Sequence, residues 1–183
     1  MKILGFCGSL RSGSFNKRLM IHACDVLKQK GCEIKIMDLR SLEIPLYDGD
    51  FEAKSGIPPG VTQLAQAIVE ADGLVIGCPE YNGGITGVLK NAIDWVSRAK
   101  NPWVSKPILL VSTSPGWFGG LKSNVVTRGI LTHLRSIVVP TQVIIPLAEK
   151  SMDEKEQLVD PLHKSNLNTG CEELLLAMKA FKK

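Results

Sequence analysis

The hexapeptide Gly73-Leu-Val-Ile-Gly-Cys78, followed at once by Pro79-Glu-Tyr-Asn-Gly-Gly84, decides the fold. Six residues with no charged or strongly polar side chain, closed by a Pro/Asn/Gly cluster, read as a short strand covered on both faces. That is the pattern of the middle of a parallel sheet. Upstream, Val61, Leu64, Ala65, Ile68 and Val69 recur at helical spacing. Downstream, Ile85, Val88, Leu89, Ala92, Ile93 and Val96 repeat it, with Trp95 reading as core. A strand between two amphipathic helices is one unit of an alternating α/β chain.

The alternation extends to both ends. Lys2-Ile-Leu-Gly-Phe-Cys7 is a first strand, followed by a helix marked by Leu19, Ala23, Val26 and Leu27 and stopped by Gly31. Glu33-Ile-Lys-Ile-Met-Asp38 alternates as a second strand, and Pro107-Ile-Leu-Leu-Val-Ser112 is a fourth. Leu121, Val125, Leu131 and Leu134 mark another helix, residues 136–145 a fifth strand, and Leu174, Met178 and Phe181 a last helix. Residues 39–60, with Pro45, Gly49, Gly56, Pro58 and Pro59, read as a long loop, and 146–166 as polar and irregular. Right-handed crossovers then give a flavodoxin-like α/β three-layer sandwich, with a five-stranded parallel sheet in the order 2-1-3-4-5 and helices on both faces. Pro140 places the fifth strand at an edge. The chain is expected to be a single domain over 1–183.

Composition narrows the function. The 183 residues are 44% hydrophobic and 22% charged, with a net charge of +4, so a packed core is affordable and disorder is not expected. The basic residues are scattered, without interleaved aromatics, which argues against nucleic-acid binding. No apolar run is long enough to span a membrane. The five cysteines, Cys7, Cys24, Cys32, Cys78 and Cys171, include no CxxC pair, and no His stands at ligand spacing from them. Free buried thiols, no metal site and a cytoplasmic location are expected.

Function should lie in the loops after the first, third and fourth strands, at the carboxyl edge of the sheet. The first is Gly8-Ser-Leu-Arg-Ser-Gly-Ser-Phe-Asn16, running into a helix whose first turn carries Lys17 and Arg18. Hydroxyls, helix-end N–H groups and Arg11 suit a phosphate, which would also account for cations where the helix dipole disfavours them. An ordinary strand–helix turn capped by Ser14 or Asn16 is the plainer alternative. The spacing matches neither GxxxxGK[ST] nor GxGxxG, and only three residues separate Cys7 from Arg11, too few for a phosphatase loop. In the second loop, Asn82-Gly83-Gly84 permits positive φ beside the flat ring of Tyr81. The third, Ser112-Thr-Ser-Pro-Gly-Trp-Phe-Gly-Gly120, repeats hydroxyls, glycines and aromatics. Phe15, Tyr47, Phe51, Tyr81, Trp117 and Phe118 all fall in loops at this rim. Cys78 reads either as a small buried hydrophobe or as a thiol beside the site, and Glu80 as a solvated carboxylate or a proton donor.

Gly8-Ser-Leu-Arg-x-Gly-Ser-Phe-Asn16, Pro45-Leu-Tyr-Asp48, and Pro79-Glu-Tyr-Asn-Gly83 followed by Gly87-Val-Leu-Lys-Asn-Ala-Ile-Asp-Trp95 together resemble the NADPH-dependent FMN reductase family, over about residues 1–135. The resemblance implies bound FMN, with NADPH or NADH as co-substrate. By it, Ser9, Arg11, Ser14, Phe15 and Asn16 would hold the 5′-phosphate and ribityl end. Pro79, Glu80, Tyr81, Asn82 and Gly83 would line the isoalloxazine edge, and Ser112, Ser114 and Gly116 would approach from the third loop. It further implies a homodimer or homotetramer, and small-molecule acceptors such as quinones, azo compounds, free flavin or metal oxyanions. Cys78 stands where the family often has Thr or Ser. With hydride chemistry on a cofactor, no catalytic side chain is required, and ping-pong kinetics are expected. The alternative is a flavodoxin-like FMN electron carrier without NAD(P)H oxidation, against which the +4 charge speaks, since such carriers are usually acidic.

Overall fold

The computed structural model describes residues 1–153 and 157–181. Its central sheet runs β2-β1-β3-β6-β7, all parallel, with β8 also paired along β6. These strands are β1 (Lys2–Cys7), β2 (Glu33–Met37), β3 (Gly73–Gly77), a separate hairpin of β4 (Glu80–Tyr81) and β5 (Gly84–Ile85), β6 (Pro107–Thr113), β7 (Ile137–Val138) and β8 (Val143–Ile145). The helices are α1 (Phe15–Gln29), α2 (Gly49–Ser55), α3 (Pro59–Glu70), α4 (Gly87–Arg98), α5 (Leu121–His133), α6 (Ala148–Ser151) and α7 (Pro161–Ala180).

The order expected from the sequence holds, with one correction: the fifth position is filled by two segments. β7 pairs with Pro107–Ile108 at the start of β6, and β8 with Val111–Thr113 at its end. Exposed Pro140 lies in the break between them, where its missing N–H removes no ladder bond. The loop 39–60 also holds a 3₁₀ turn at Leu39–Leu42 and the helix α2. Within 146–166, α6 forms and α7 begins at Pro161; residues 154–156 of that stretch lie outside the described residues.

The strand period sorts the core into two layers. Leu4 and Phe6, Leu74, Ile76 and Cys78, and Ile108 and Leu110 face α3, α4 and Leu131 of α5. Ile3 and Cys7, Val75, and Leu109 and Val111 face α1 and α7. Burying each large apolar side chain is worth about 1.5–3 kcal/mol, so a one-residue slip in register would lose both layers at once. At the carboxyl end the helix comes in very close: a Cβ on Gly77 would stand 3.0 Å from the carbonyl oxygen of Asn16. Only a glycine lets the start of α1 sit directly on the sheet edge there.

Two of the sequence motifs are parts of one structural unit. The carbonyl oxygen of Pro45 accepts hydrogen bonds from Asn91 Nδ2 and Trp95 Nε1, both at 2.8 Å. Tyr47 N–H donates to Asn91 Oδ1 at 2.8 Å, and the Tyr47 ring meets buried Trp95 edge-on at 4.9 Å. The α4 motif thus fastens the loop 39–60 to the rim.

Candidate functional site

The first loop ends in a capped helix. Ser14 Oγ accepts the Lys17 N–H at 3.3 Å, which leaves the N–H groups of Phe15 and Asn16 without intrahelical acceptors at the positive end of α1. Ser9 Oγ accepts the Arg11 N–H at 3.3 Å and fixes the bend before it. The three nearby cations are not equivalent. Lys17 Nζ is paired with Asp38 at 2.8 Å, and Arg18 lies over the Phe15 ring at 5.4 Å. Arg11 is exposed, and among the described residues its guanidinium has no carboxylate partner. The groups here that could meet an anion are therefore peptide N–H groups, hydroxyls and the Arg11 guanidinium, not three equivalent cations.

Asn16 is buried, with both ends of its amide engaged. Nδ2 donates to the Thr113 carbonyl at 2.8 Å, and Oδ1 accepts the Thr113 N–H at 3.0 Å. What Asn16 offers the cleft is its backbone N–H; its side chain bolts α1 to the end of β6. Thr113 Oγ1 in turn donates to the Ile145 carbonyl at 2.7 Å, which ties in β8.

The second loop is the β4–β5 hairpin. Asn82 (φ 52°) and Gly83 (φ 76°) both take positive φ, the two-residue turn that this dipeptide favours. Glu80 is neither a free surface carboxylate nor aimed at a proton. Its Oε2 accepts the N–H groups of Lys122 at 2.9 Å and Ser123 at 3.3 Å. It caps α5, whose own N-cap residue Gly120 has no side chain to do so. Ser123 Oγ returns a hydrogen bond to the Pro79 carbonyl at 2.8 Å. Thr86, the N-cap of α4, donates from Oγ1 to the Gly8 carbonyl at 2.7 Å and joins the second loop to the first.

The third loop is held from beneath. The carbonyls of Ser114 and Gly116 accept the N–H groups of Ala148 (3.0 Å) and Leu147 (3.1 Å). Trp117 and Phe118 stand 80% and 71% exposed on this fixed support. Ser112 is fully buried behind the rim, with Asn124 Nδ2 3.4 Å from its Oγ.

Ser9, Arg11, Ser14, Phe15, Asn16, Pro79, Glu80, Tyr81 and Ser114 line one cleft, together with Thr113 and Pro115. Asn82, Gly83 and Gly116 lie exposed on the adjoining turns. The cleft holds about 90 Å³, well below the ~300 Å³ of sites that enclose a ligand, so it can seat one end of a molecule whose remainder lies across the open rim. A larger hollow of about 520 Å³ is at the opposite, amino ends of β3 and β6 and contains none of the candidate site residues.

The nearby thiols are inert. Burial pushes Cys7 up to about 11, against the opposing hydrogen bonds of Ser9 and Ser14 and the charge of Lys17. Burial drives Cys78 higher still, so it is a small core hydrophobe and not a reactive thiol. Sequence reasoning missed Thr86, Thr113, Ser123 and Asn124. Thr86 was legible as a cap residue before Gly87; Thr113 meets Asn16 through its peptide, which leaves no side-chain signal for that contact.

Residues 1–150 match the family described as NADPH-dependent FMN reductase. The NADPH:quinone oxidoreductase of Arabidopsis thaliana is 34% identical over 186 residues, covering 99% of this chain and 91% of that protein. The quinone reductase of Escherichia coli (strain K12) is 40% identical over 141 residues, 76% of this chain and 73% of that one. Among solved structures, the flavoenzyme NAD(P)H:(acceptor) oxidoreductase of Paracoccus denitrificans superposes with a TM-score of 0.83 at 24% identity, covering 98% and 97% of the two chains.

Proposed function

The chain belongs to the NADPH-dependent FMN reductase family, and from that premise we propose that it reduces quinones, and with them azo compounds, free flavin or metal oxyanions, by ping-pong alternation of NAD(P)H and acceptor at one open rim. It is an FMN- and NAD(P)H-dependent oxidoreductase. The observation that carries the residue assignment is the convergence of three loops, from β1, β3 and β6, on one cleft.

The donor set fits FMN. Two unclaimed helix-end N–H groups, the hydroxyls of Ser9 and Ser14 and the guanidinium of Arg11 match a phosphate monoester dianion. Phe15 and the backbone of Asn16 complete the phosphate and ribityl end. Pro79, Glu80, Tyr81, Asn82 and Gly83, with Ser114 and Gly116 opposite, form the edge for a planar ring. When bound, FMN supplies the hydride-accepting and hydride-donating chemistry. The chain's part is to bind and orient it and to leave one ring face open. Ser112 supports the third loop from behind through Asn124. A cytoplasmic location accords with five unpaired, buried cysteines. A homodimer or homotetramer accords with the exposed Tyr81, Trp117 and Phe118 around the rim.

The test is optical. Purified protein, or apoprotein given FMN, should be yellow and should bleach promptly on anaerobic addition of NADPH, then recover colour with a quinone. Protein that takes up no FMN would refute the assignment, and a flavin that NADPH leaves oxidised would favour an electron carrier. Initial rates at several quinone concentrations should give parallel double-reciprocal lines; intersecting lines would remove the ping-pong scheme.

A further inference from the structure

The geometry points to Lys122 as the residue that sets how strongly the reduced cofactor is held relative to the oxidised one: its ammonium lies over the Asn82–Gly83 turn and supplies positive charge to the edge of the ring. This rests on the FMN reading of the cleft.

Three observations carry it. First, Lys122 is held in place. Its backbone N–H donates to Glu80 Oε2 at 2.9 Å, and its side chain folds back over the hairpin. A methyl group built on Gly83 would lie 3.5 Å from Lys122 Cδ and 3.7 Å from Nζ. Second, among the described residues the ammonium makes no ion pair, the Glu80 carboxylate being turned to the backbone N–H groups of α5. Lys17, Lys30 and Lys90 pair with Asp38, Glu172 and Asp94, whereas among the described residues the Lys122 ammonium meets no carboxylate. Third, its position works against helix stability: it is the second residue of α5, where the dipole disfavours a cation. A cation in the first turn of a helix, its ammonium in no ion pair among the described residues and lying over Gly83, which has no Cβ, is explained by an anion that arrives at that turn.

The chemistry names the anion. Two electrons and one proton added to a flavin leave a net negative charge on its N1–C2 carbonyl edge at neutral pH. An ammonium held over the Asn82–Gly83 turn would favour the reduced form over the oxidised one and raise the potential if that edge is seated there. Lys122 is exposed, so solvent and salt screen the effect to about tenfold in relative affinity.

The experiment uses holoenzyme. Lys122→Met keeps the aliphatic stem over Gly83 and removes the charge, and Lys122→Arg keeps the charge. In Lys122→Met the ratio of reduced to oxidised FMN affinity should fall about tenfold, read as a two-electron midpoint potential about 30 mV lower. Lys122→Arg should stay near wild type, the oxidised-FMN Kd should not move in either variant, and the apoprotein melting temperature should hold in Lys122→Arg and rise slightly in Lys122→Met, where a cation leaves the positive end of α5. A wild-type potential in Lys122→Met overturns the role of Lys122 while leaving the FMN site intact. So does a KM for NADPH that rises without a change in potential, which would assign the ammonium to the dinucleotide phosphate. Wild-type protein that holds no FMN removes both readings together.

Discussion

Asn16 shows what one residue can do in this molecule. Its amide closes a two-bond ring with the Thr113 peptide across 97 positions of sequence, in a buried setting. Asn16→Ala leaves a buried N–H and a buried C=O without partners, which should destabilise the fold by about 2–4 kcal/mol, measured by urea unfolding. FMN affinity should fall in parallel, because α1 is then no longer fixed to β6. The Cys7 thiol carries a pH signature. Its folded-state pKa, about 11, is raised above the unfolded value of roughly 8.5. The associated stability is therefore complete below pH 8.5 and is lost as pH rises towards 11. Unfolding free energy followed from pH 8 to 11 should decline, and Cys7→Ala should flatten the part of that decline due to Cys7. The carboxylate of Asp38 has the opposite sense. Its hydrogen bond with Lys17 and the Arg40 N–H hold it low, so its contribution is present above about pH 4 and disappears on acidification; at a half-exposed ion pair it amounts to less than ~1 kcal/mol.

At the scale of elements, α5 depends on a cap from outside itself. Gly120 supplies no side chain, and the Glu80 carboxylate reaches 42 positions along the chain to accept the N–H of Lys122. Glu80→Ala should cost about 1–2 kcal/mol in thermal or urea unfolding and release the hairpin from α5; Glu80→Gln, which keeps an acceptor oxygen, should lose less. A variant as stable as wild type would show that the cap is dispensable. The same element shows why the sequence was only partly legible. Long apolar runs such as Leu74-Val75-Ile76 and Leu109-Leu110-Val111 are buried on both faces, so their composition alone marks them as central strands. The helix α2 buries no residue, so it has no apolar stripe to read; its Asp48 cap, which accepts from Asp50 and Phe51, was the available signal. Asp160 followed by Pro161 was likewise a readable start for α7, with its cap bonds to Leu162 and His163. The hairpin β4–β5 has two-residue strands, too short for any periodicity, although Asn82-Gly83 announced its turn. The chemistry of the cleft was legible where a side chain meets solvent, as at Arg11, or caps the helix that follows it, as at Ser14. For Asn16 and Glu80 the residue was legible and its role was not, because the partner is a peptide group far away in the sequence.

For the whole molecule, the consequence is coupling between distant parts of the chain. The cleft draws on loops that follow β1, β3 and β6, so a ligand spanning it binds the folded state and not the unfolded one. FMN at a hundredfold above its Kd should therefore stabilise the protein by about 2.7 kcal/mol. For a chain of this length that is a rise in melting temperature of roughly 5–10 °C. Inorganic phosphate offers only the anion that the start of α1 and Arg11 recognise, and leaves the hairpin and the third loop without a ligand. It should give a smaller rise, and one that adding salt reduces, since an exposed anion site is screened. The difference between the two ligands reports the ring's share of the site. Riboflavin, which has the ring and lacks the phosphate, should give a rise below that of FMN. If phosphate alone matched FMN, the three loops would form an anion site and nothing more, and the rim's aromatic side chains would need another occupant. If FMN exceeds phosphate and riboflavin each by several degrees, the loops act as one unit, and the increment should shrink in Glu80→Ala, where one link between them is cut.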